Sequence, residues 1–478
     1  MTQALDDLTP GRRRPSAAEL FRRTQFTGEK LRNFRHLDPE RTLAGDTGAA
    51  LLSRMVALAE AHQVRQRALQ PDAVKSRVLT ASTLLANLAS LALNRVDDTR
   101  FLAVSFNRNA YANTPLSLSA MSLLRDAMLA NGLIEGSAGG QRVRADDSYF
   151  GWLTRMRATP ALRTIFADCG IGYASIRRTV GNVLILRDRK AGVSSEPPID
   201  VEMTRQTLAS MNKRIEAARI ELPQDAWAGV TPGVIDAMHL DDEDRAPAGD
   251  LVGKSLVRLF KYDWRQGGRL YGGWWMSLPK RERKLLTIDG EAVAELDYGQ
   301  LHPSILYART HEELDGDAYT VGDWTSPAMR ELGKTTFARM LNTTTSDGEP
   351  RAIQMAEGDA DKLPPGVTWE DYLHAFQRKL APISEWFWIG EGLRLQREDS
   401  DVAVSVLEAM NKHGIVTLPV HDSFIVQDNY RHLLRTAMIG AYREKFYYHP
   451  IIKEASLRVD NLLKMHREKG RGTRRGHN

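Results

Sequence analysis

Residues 414–427 read GIVTLPVHDSFIVQ. An apolar run from Ile415 to Val420 meets His421-Asp422, and a second apolar run from Phe424 to Val426 follows. Two such runs either side of a short polar break predict a β-hairpin with an aspartate at its tip. Upstream, residues 291–308 read EAVAELDYGQLHPSILYA. Ala292 to Asp297 alternates as a strand does, and Gln300 to Tyr307 fits a turn into a helix, with Pro303 tolerated in the first turn. A lone strand-end aspartate is most often a cap or a surface residue. Here the sheet on one side and the helix on the other would pin Asp297, which is what a metal ligand needs. Asp297 and Asp422 are 125 positions apart (422 − 297). That separation is no obstacle if they lie on neighbouring strands of one antiparallel sheet.

Between the two aspartates, residues 329–342 (MRELGKTTFARMLN) predict a helix. Arg330 and Lys334 are four apart and so share a face, an arrangement suited to a triphosphate, although Arg/Lys pairs at this spacing are also common on solvated helices. Further upstream, Asp263 to Tyr271 (DWRQGGRLY) places two glycines before Arg269. Glycines let a backbone approach a phosphate, and a guanidinium can grip one. Gly272, Gly273, Trp274 and Trp275 follow, offering close approach and either stacking surface or core.

These stretches resemble the motifs of one polymerase superfamily. Asp297-Tyr298-Gly299-Gln300-Leu301-His302 resembles motif A of family A DNA polymerases (DYSQIE), and with Pro303-Ser304-Ile305 it also resembles the family B pattern DxxSLYPSI. His421-Asp422-Ser423-Phe424 is similar to motif C, which is VHDE in family A enzymes and HDSF in single-subunit phage-type RNA polymerases. Arg330 and Lys334 match motif B in position, but the aromatic residue expected eight after the lysine is Asn342, which cannot stack. The stretch ending at Arg269 resembles the DxxGR element with one extra residue. The resemblance covers residues 263–424.

The resemblance implies a two-metal nucleotidyltransferase using Mg²⁺, with Mn²⁺ as a substitute. Asp297 and Asp422 would bridge the ions, and the Tyr298 carbonyl would be a further ligand. Arg330, Lys334, His302 and Asn342 would contact the nucleotide; Arg269, His421 and Gln300 would contact nucleic acid. His302 falls five residues after Asp297, where the family places the residue under the incoming sugar. A bulky side chain there excludes a 2′-hydroxyl and favours dNTPs, whereas HDSF and the DxxGR-like element lean toward RNA synthesis. The reading adopted is a template-directed DNA polymerase acting on a primer-template, without proofreading, since no DEDD-type exonuclease set is found. The alternatives are a single-subunit RNA polymerase or primase, and a non-catalytic nucleic-acid-binding protein with a degenerate palm.

The rest of the chain sets the frame. Its 478 residues, 42% hydrophobic and 26% charged, predict a soluble globular protein of two or three domains. No apolar stretch approaches the ~20 residues of a membrane span, and the first residues lack a secretory h-region. The net charge of +5 permits a polyanionic partner without requiring one. Cys169, alone, excludes an internal disulfide or zinc ribbon and suggests a buried thiol in a reducing, cytoplasmic setting. Seven of the nine tryptophans fall between Trp264 and Trp388, marking that part as the specialised core.

The expected fold is α+β: a right-hand polymerase whose palm is an antiparallel sheet (255–310 and 401–465) with helical fingers (311–400). Residues 196–254 are thumb-like, built on one long helix at 198–221, and include an acidic loop, Asp241 to Asp244. Residues 1–195 form a mostly helical accessory domain with a basic cluster at Arg12, Arg13 and Arg14. Within it, 100–150 resembles a winged helix: a helix capped by Ser117, a stop at Asn131-Gly132, then a hairpin turning at Gly136, Gly139 and Gly140. Residues 466–478 are a basic tail expected to be disordered.

Overall fold

A computed structural model describes residues 33–63, 68–111, 114–143, 149–230, 251–344 and 358–454. The Arg12 cluster, the acidic run at 241–244 and the basic tail lie outside them. Contacts divide the chain into two units: 1–181 with 227–254, and 182–226 with 255–478. Among the described residues no helix is long and apolar enough to cross a membrane.

The first unit runs β1 (Phe34–His36), β2 (Arg41–Leu43), α1 (Gly45–His62), α2 (Pro71–Ala92), β3 (Phe101–Val104), α3 (Leu118–Ala130), β4 (Ile134–Ser137), β5 (Gly140–Val143), β6 (Tyr149–Trp152), β7 (Thr154–Ala158), α4 (Pro160–Asp168) and β8 (Ile176–Arg178). Its core joins Leu51 and Met55 of α1, Leu84 and Leu88 of α2, and Met121, Leu124 and Met128 of α3. A four-stranded sheet, β1-β3-β7-β4, which the sequence pattern does not announce, runs alongside these helices. Helix α2 is buried along most of its length, and its buried Asn87 is fully engaged: it donates to the carbonyls of Asp38 and Thr83 and accepts from the Asp38 amide. The caps of α3 follow the sequence: Ser117 Oγ accepts from the Ala120 amide, and Gly132 takes φ +64° just past the end. Cys169 caps α4 and is half-buried rather than buried.

The hairpin after α3 corrects an expectation. Its glycines do not form the turn. Strand β4 pairs with β7 (Ile134 with Ala158, Ser137 with Arg155) and β5 pairs with β6 (Gly140 with Trp152, Val143 with Tyr149), so one long interrupted hairpin spans 134–158. Gly136 lies inside an arm. A Cβ there would sit 1.9 Å from the Arg155 carbonyl oxygen, so the glycine serves close strand approach rather than chain reversal. Gly136→Ala should therefore cost about 1–3 kcal/mol as an overpacking substitution. Urea denaturation followed by circular dichroism reads this directly; an unchanged midpoint would mean that the strands can move apart freely.

The second unit begins with β9 (Leu184–Arg187). The long helix expected over 198–221 is instead α5 (Ile199–Glu202) and α6 (Thr204–Ala217), separated at Met203, followed by β10 (Ile220–Glu221). Thr204 Oγ1 donates to the Val201 carbonyl at the break. Ile220 pairs with Ile288 of a later strand, so sheet pairing overrides the helical spacing of this stretch. Next come β11 (Val257–Lys261), β12 (Asp263–Tyr271), α7 (Lys280–Arg283), β13 (Thr287–Ile288), β14 (Glu291–Tyr298), α8 (Leu301–Arg309), α9 (Pro327–Asn342), α10 (Trp369–Lys379), α11 (Gly392–Lys412), β15 (Leu418–Val420), β16 (Ser423–Gln427), α12 (Arg431–Phe446) and β17 (Ile452–Glu454).

Strand β14 is the centre of a six-stranded sheet ordered β10-β13-β14-β16-β15. Its first residues pair with β13, its last three with β17, and residues 293–297 with β16, all antiparallel. Alternation buries Ala294, Leu296 and Tyr298. On the other face Glu295 is also buried, held by Arg283 at 2.7 Å and by the Ser423 hydroxyl at 3.0 Å. Ser423 of the HDSF stretch thus fastens β16 to β14.

Candidate active site

Asp297 sits near the end of β14 and pairs in register with Ser423. Strands β15 and β16 are joined by His421 and Asp422 alone, with Val420 opposite Ser423. A two-residue turn needs a positive φ, and His421 supplies it at +58°, where glycine would be easier. The Tyr298 amide donates to the Asp422 carbonyl at 3.1 Å, locking the two aspartate-bearing segments together. The Tyr298 hydroxyl donates to the Met438 carbonyl at 2.6 Å, which anchors the end of β14 on α12.

The charges here are unbalanced. Burial, and then the Asp297 charge beside it, push the Asp422 carboxyl up to about 7, against a smaller opposing pull from Arg269. Two carboxylates sharing a site need a cation to coexist ionised, and Lys280 Nζ partly fills that role at 3.1 Å from Asp297 Oδ2. Among the described residues no group of three or more His, Cys, Asp or Glu side chains is arranged to hold a metal. Magnesium does not require one: two carboxylates, a main-chain carbonyl and substrate phosphates are an ordinary hard-oxygen set. The donors at Asp297, Asp422 and Tyr298 therefore fit such an ion.

Arg269 reaches the same place from β12. Gly267 and Gly268, with φ of +76° and +84°, form a bulge, so that Leu259 faces Arg269 while Phe260 faces Gly267. A Cβ on Gly268 would meet the Phe260 ring at 2.9 Å and Ser400 Oγ at 3.0 Å, so β12 lies close against α11. Arg269 pairs with Asp399 through Nε at 3.1 Å and Nη2 at 2.5 Å. His302, in the first turn of α8, places Nε2 2.8 Å from Asp399 Oδ2. Burial raises the Asp399 pKa, but Arg269 and His302 together more than offset it, so the group remains ionised. The His421 ring stands edge-on to Tyr271 with centroids 5.8 Å apart.

The other residues chosen from the sequence are placed less directly. Arg330 pairs with Asp317 at 2.5 Å and lies over the Tyr319 ring, 5.3 Å from its centroid. Tyr319 is close to the centre: burial, then the Asp422 charge, push its hydroxyl up. Lys334, one turn on, is half-exposed and pairs with Glu331 at 3.2 Å. Asn342 ends α9, donates to the Ala338 carbonyl and packs against Gly392. Gln300, in left-handed conformation at the head of α8, binds the Gly316 carbonyl and the Ala318 amide. Trp274 and Trp275 are fully buried, which corrects the stacking alternative. A Cβ on Gly272 would lie 2.2 Å from the Ser255 carbonyl and one on Gly273 2.3 Å from the Trp275 ring, so these glycines serve the protein's own packing.

Asp399, Lys280, Asp317 and Tyr319 belong to the site but to none of the sequence motifs. A signal existed for Asp399. Leu395, Asp399, Val402 and Val406 share one face of α11, and all are buried. A carboxylate on an apolar helix face needs a partner.

No family model matches the chain, and no curated protein does. Among solved structures it is similar to the POL domain of Pol1 from M. smegmatis in complex with DNA primer-template and dNTP. The identity is 12%, the match covers 54% of this chain and 66% of that one, and the TM-score is 0.27. So remote a likeness carries no argument about activity, and the functional reading rests on this chain's own residues.

Proposed function

We propose that the chain is a template-directed DNA polymerase, adding deoxynucleotides to a primer 3′-hydroxyl. The observation that carries this reading is the Asp297–Asp422 pair, two half-buried carboxyls whose charges interact, one near the end of β14 and the other in the turn between β15 and β16, the strand paired with β14. In this reading the palm comprises 255–310 and 401–465 and the fingers 311–400. Asp297, Asp422 and the Tyr298 carbonyl would hold Mg²⁺, which when bound would supply Lewis acidity at the 3′-hydroxyl and charge neutralisation at the triphosphate.

The chain's own groups do the rest. The Tyr298 amide bond to Asp422 fixes the separation of the two carboxylates. Arg269 supplies positive charge beside Asp422 without titrating. Lys280, half-exposed and paired with Asp297 at 3.1 Å, would give up that carboxylate to a divalent cation. Arg330 and Lys334, each now on an acidic neighbour, exchange that neighbour for phosphate oxygens, which takes the substrate's greater charge. His302 stands where the sugar of the incoming nucleotide would pass.

Primer extension with Mg²⁺ tests this, comparing dNTPs with rNTPs on a primed template and on the single strand alone, beside an Asp422→Ala protein. Template-dependent extension with dNTPs that vanishes in the variant is the expected result. Synthesis from rNTPs would move the protein to the RNA polymerase reading. Binding without synthesis under any condition would leave a palm that works only as a binding surface.

A further inference from the structure

Asp399 has no place in the sequence motifs, yet it is the hub that joins two of their residues. Its carboxylate is 4% exposed, whereas Arg269 and His302, which it holds, are 17% and 22% exposed. Asp399 therefore lies behind the residues that face the cleft and cannot itself meet a substrate. A carboxylate only accepts, so the 2.8 Å contact requires that His302 Nε2 carry the proton, which fixes the ring's tautomer as well as its direction. Arg269 Nη2 converges on the same oxygen, 3.3 Å from His302 Nε2, so both donors share one acceptor.

The hub is braced on both sides. Arg309, on the same helix as His302, pairs with Glu391 at 2.8 Å and Glu398 at 2.6 Å, the second of them on α11. Arg258 of β11, fully buried, donates to the Gly268 carbonyl and to Ser400 Oγ, and pairs with Asp401. Residues 398 to 401 of one helix thus tie down α8, β12 and β11 around the single carboxylate of Asp399. Its charge acts on Asp422, which sets the cluster at the catalytic carboxylates.

We propose that Asp399 is a positioning residue for sugar discrimination: it holds the His302 ring rigidly across the path of a 2′-hydroxyl, with Arg269 as its counter-ion. This rests on the polymerase reading above. A ring free to turn about its two side-chain torsions yields to a hydroxyl. A ring held by a charge-assisted bond to a braced helix does not.

The test is single-nucleotide extension, with kcat and KM measured separately for dNTP and rNTP. Asp399→Asn should reduce the preference for dNTP at least tenfold, chiefly by lowering the KM for rNTP. Combined with His302→Ala it should add nothing beyond His302→Ala alone, since both remove one obstacle. A second pair avoids altering a buried charge. His302→Leu keeps bulk but cannot donate to Asp399 and should lose the preference; His302→Gln keeps a donor and should retain most of it.

Full preference in His302→Leu, or kcat falling equally for both sugars in Asp399→Asn with the ratio unchanged, would overturn the proposal while leaving the polymerase reading intact. A wild-type protein that prefers rNTPs would overturn the gate and this proposal together. One that extends with neither sugar would overturn the polymerase reading itself, and the proposal with it.

Discussion

Asp422→Asn should abolish nucleotide addition and yet make the metal-free protein more stable at pH 8. On the proposed reading the loss of activity follows because asparagine replaces one of the two carboxylates that would hold the metal. Metal stabilisation of developing charge is worth several kcal/mol, so roughly a thousandfold or more in rate should go. The gain in stability follows from the Asp422 pKa, about 7 in the folded chain against an ordinary 3.8. Between those values the folded state holds a proton that the unfolded state has released. Stability from this group is therefore complete below about pH 4 and is lost as pH rises through 7. The ceiling on that loss is about 4 kcal/mol, because each tenfold change in proton affinity is worth ~1.4 kcal/mol. Asparagine carries no charge at any pH and escapes it.

Thermal unfolding in chelator from pH 5 to 8 checks this. The wild-type midpoint should fall with rising pH, the variant's should stay flat, and Mg²⁺ should restore the wild type alone. Parallel curves for the two proteins would mean that Asp422 is solvated, and that the two carboxylates do not compete.

Arg258→Ala should destabilise the second unit by about 3–5 kcal/mol and disable the site through structure rather than chemistry. Arg258 is fully buried and lies against the Phe260 ring at 5.1 Å. Its loss leaves the Gly268 carbonyl and Ser400 Oγ without their donor, opens a cavity the size of a long side chain, and removes one of the cations beside Asp401. The bulge that aims Arg269 at Asp399 depends on that Gly268 carbonyl. The tryptophans from Trp264 to Trp388 all belong to this unit, so tryptophan fluorescence in urea reports mainly on it. A midpoint within about 0.5 kcal/mol of wild type would show that the bulge stands without its arginine.

The hairpin carrying Asp422, the strand ending in Asp297 and the helices at α8 and α9 were all legible in the sequence. Their patterns are local: alternation, a two-residue polar break between apolar runs, a proline in a first turn. The winged segment was legible only as far as its helix and caps. Gly136 looks the same in sequence whether it turns a chain or lets a partner strand come close, and only the Arg155 carbonyl opposite it decides. The expected helix at 198–221 failed because Ile220 is claimed by Ile288, a partner 68 positions on (288 − 220).

The sequence by itself determined the two acidic positions, the strand-and-turn geometry that presents them and the order of the elements between, because each depends on neighbours within a few residues. Only the tertiary structure decided that Asp422 is half-buried and within reach of the Asp297 charge, that Ser423 is a fastener and that Trp274 and Trp275 are core. It alone brought Asp399 from a helix to Arg269 and His302, 130 and 97 positions away (399 − 269 and 399 − 302). Charge pairing in a buried cleft is set by distance in space and by exclusion of water, and no local pattern in the chain encodes either.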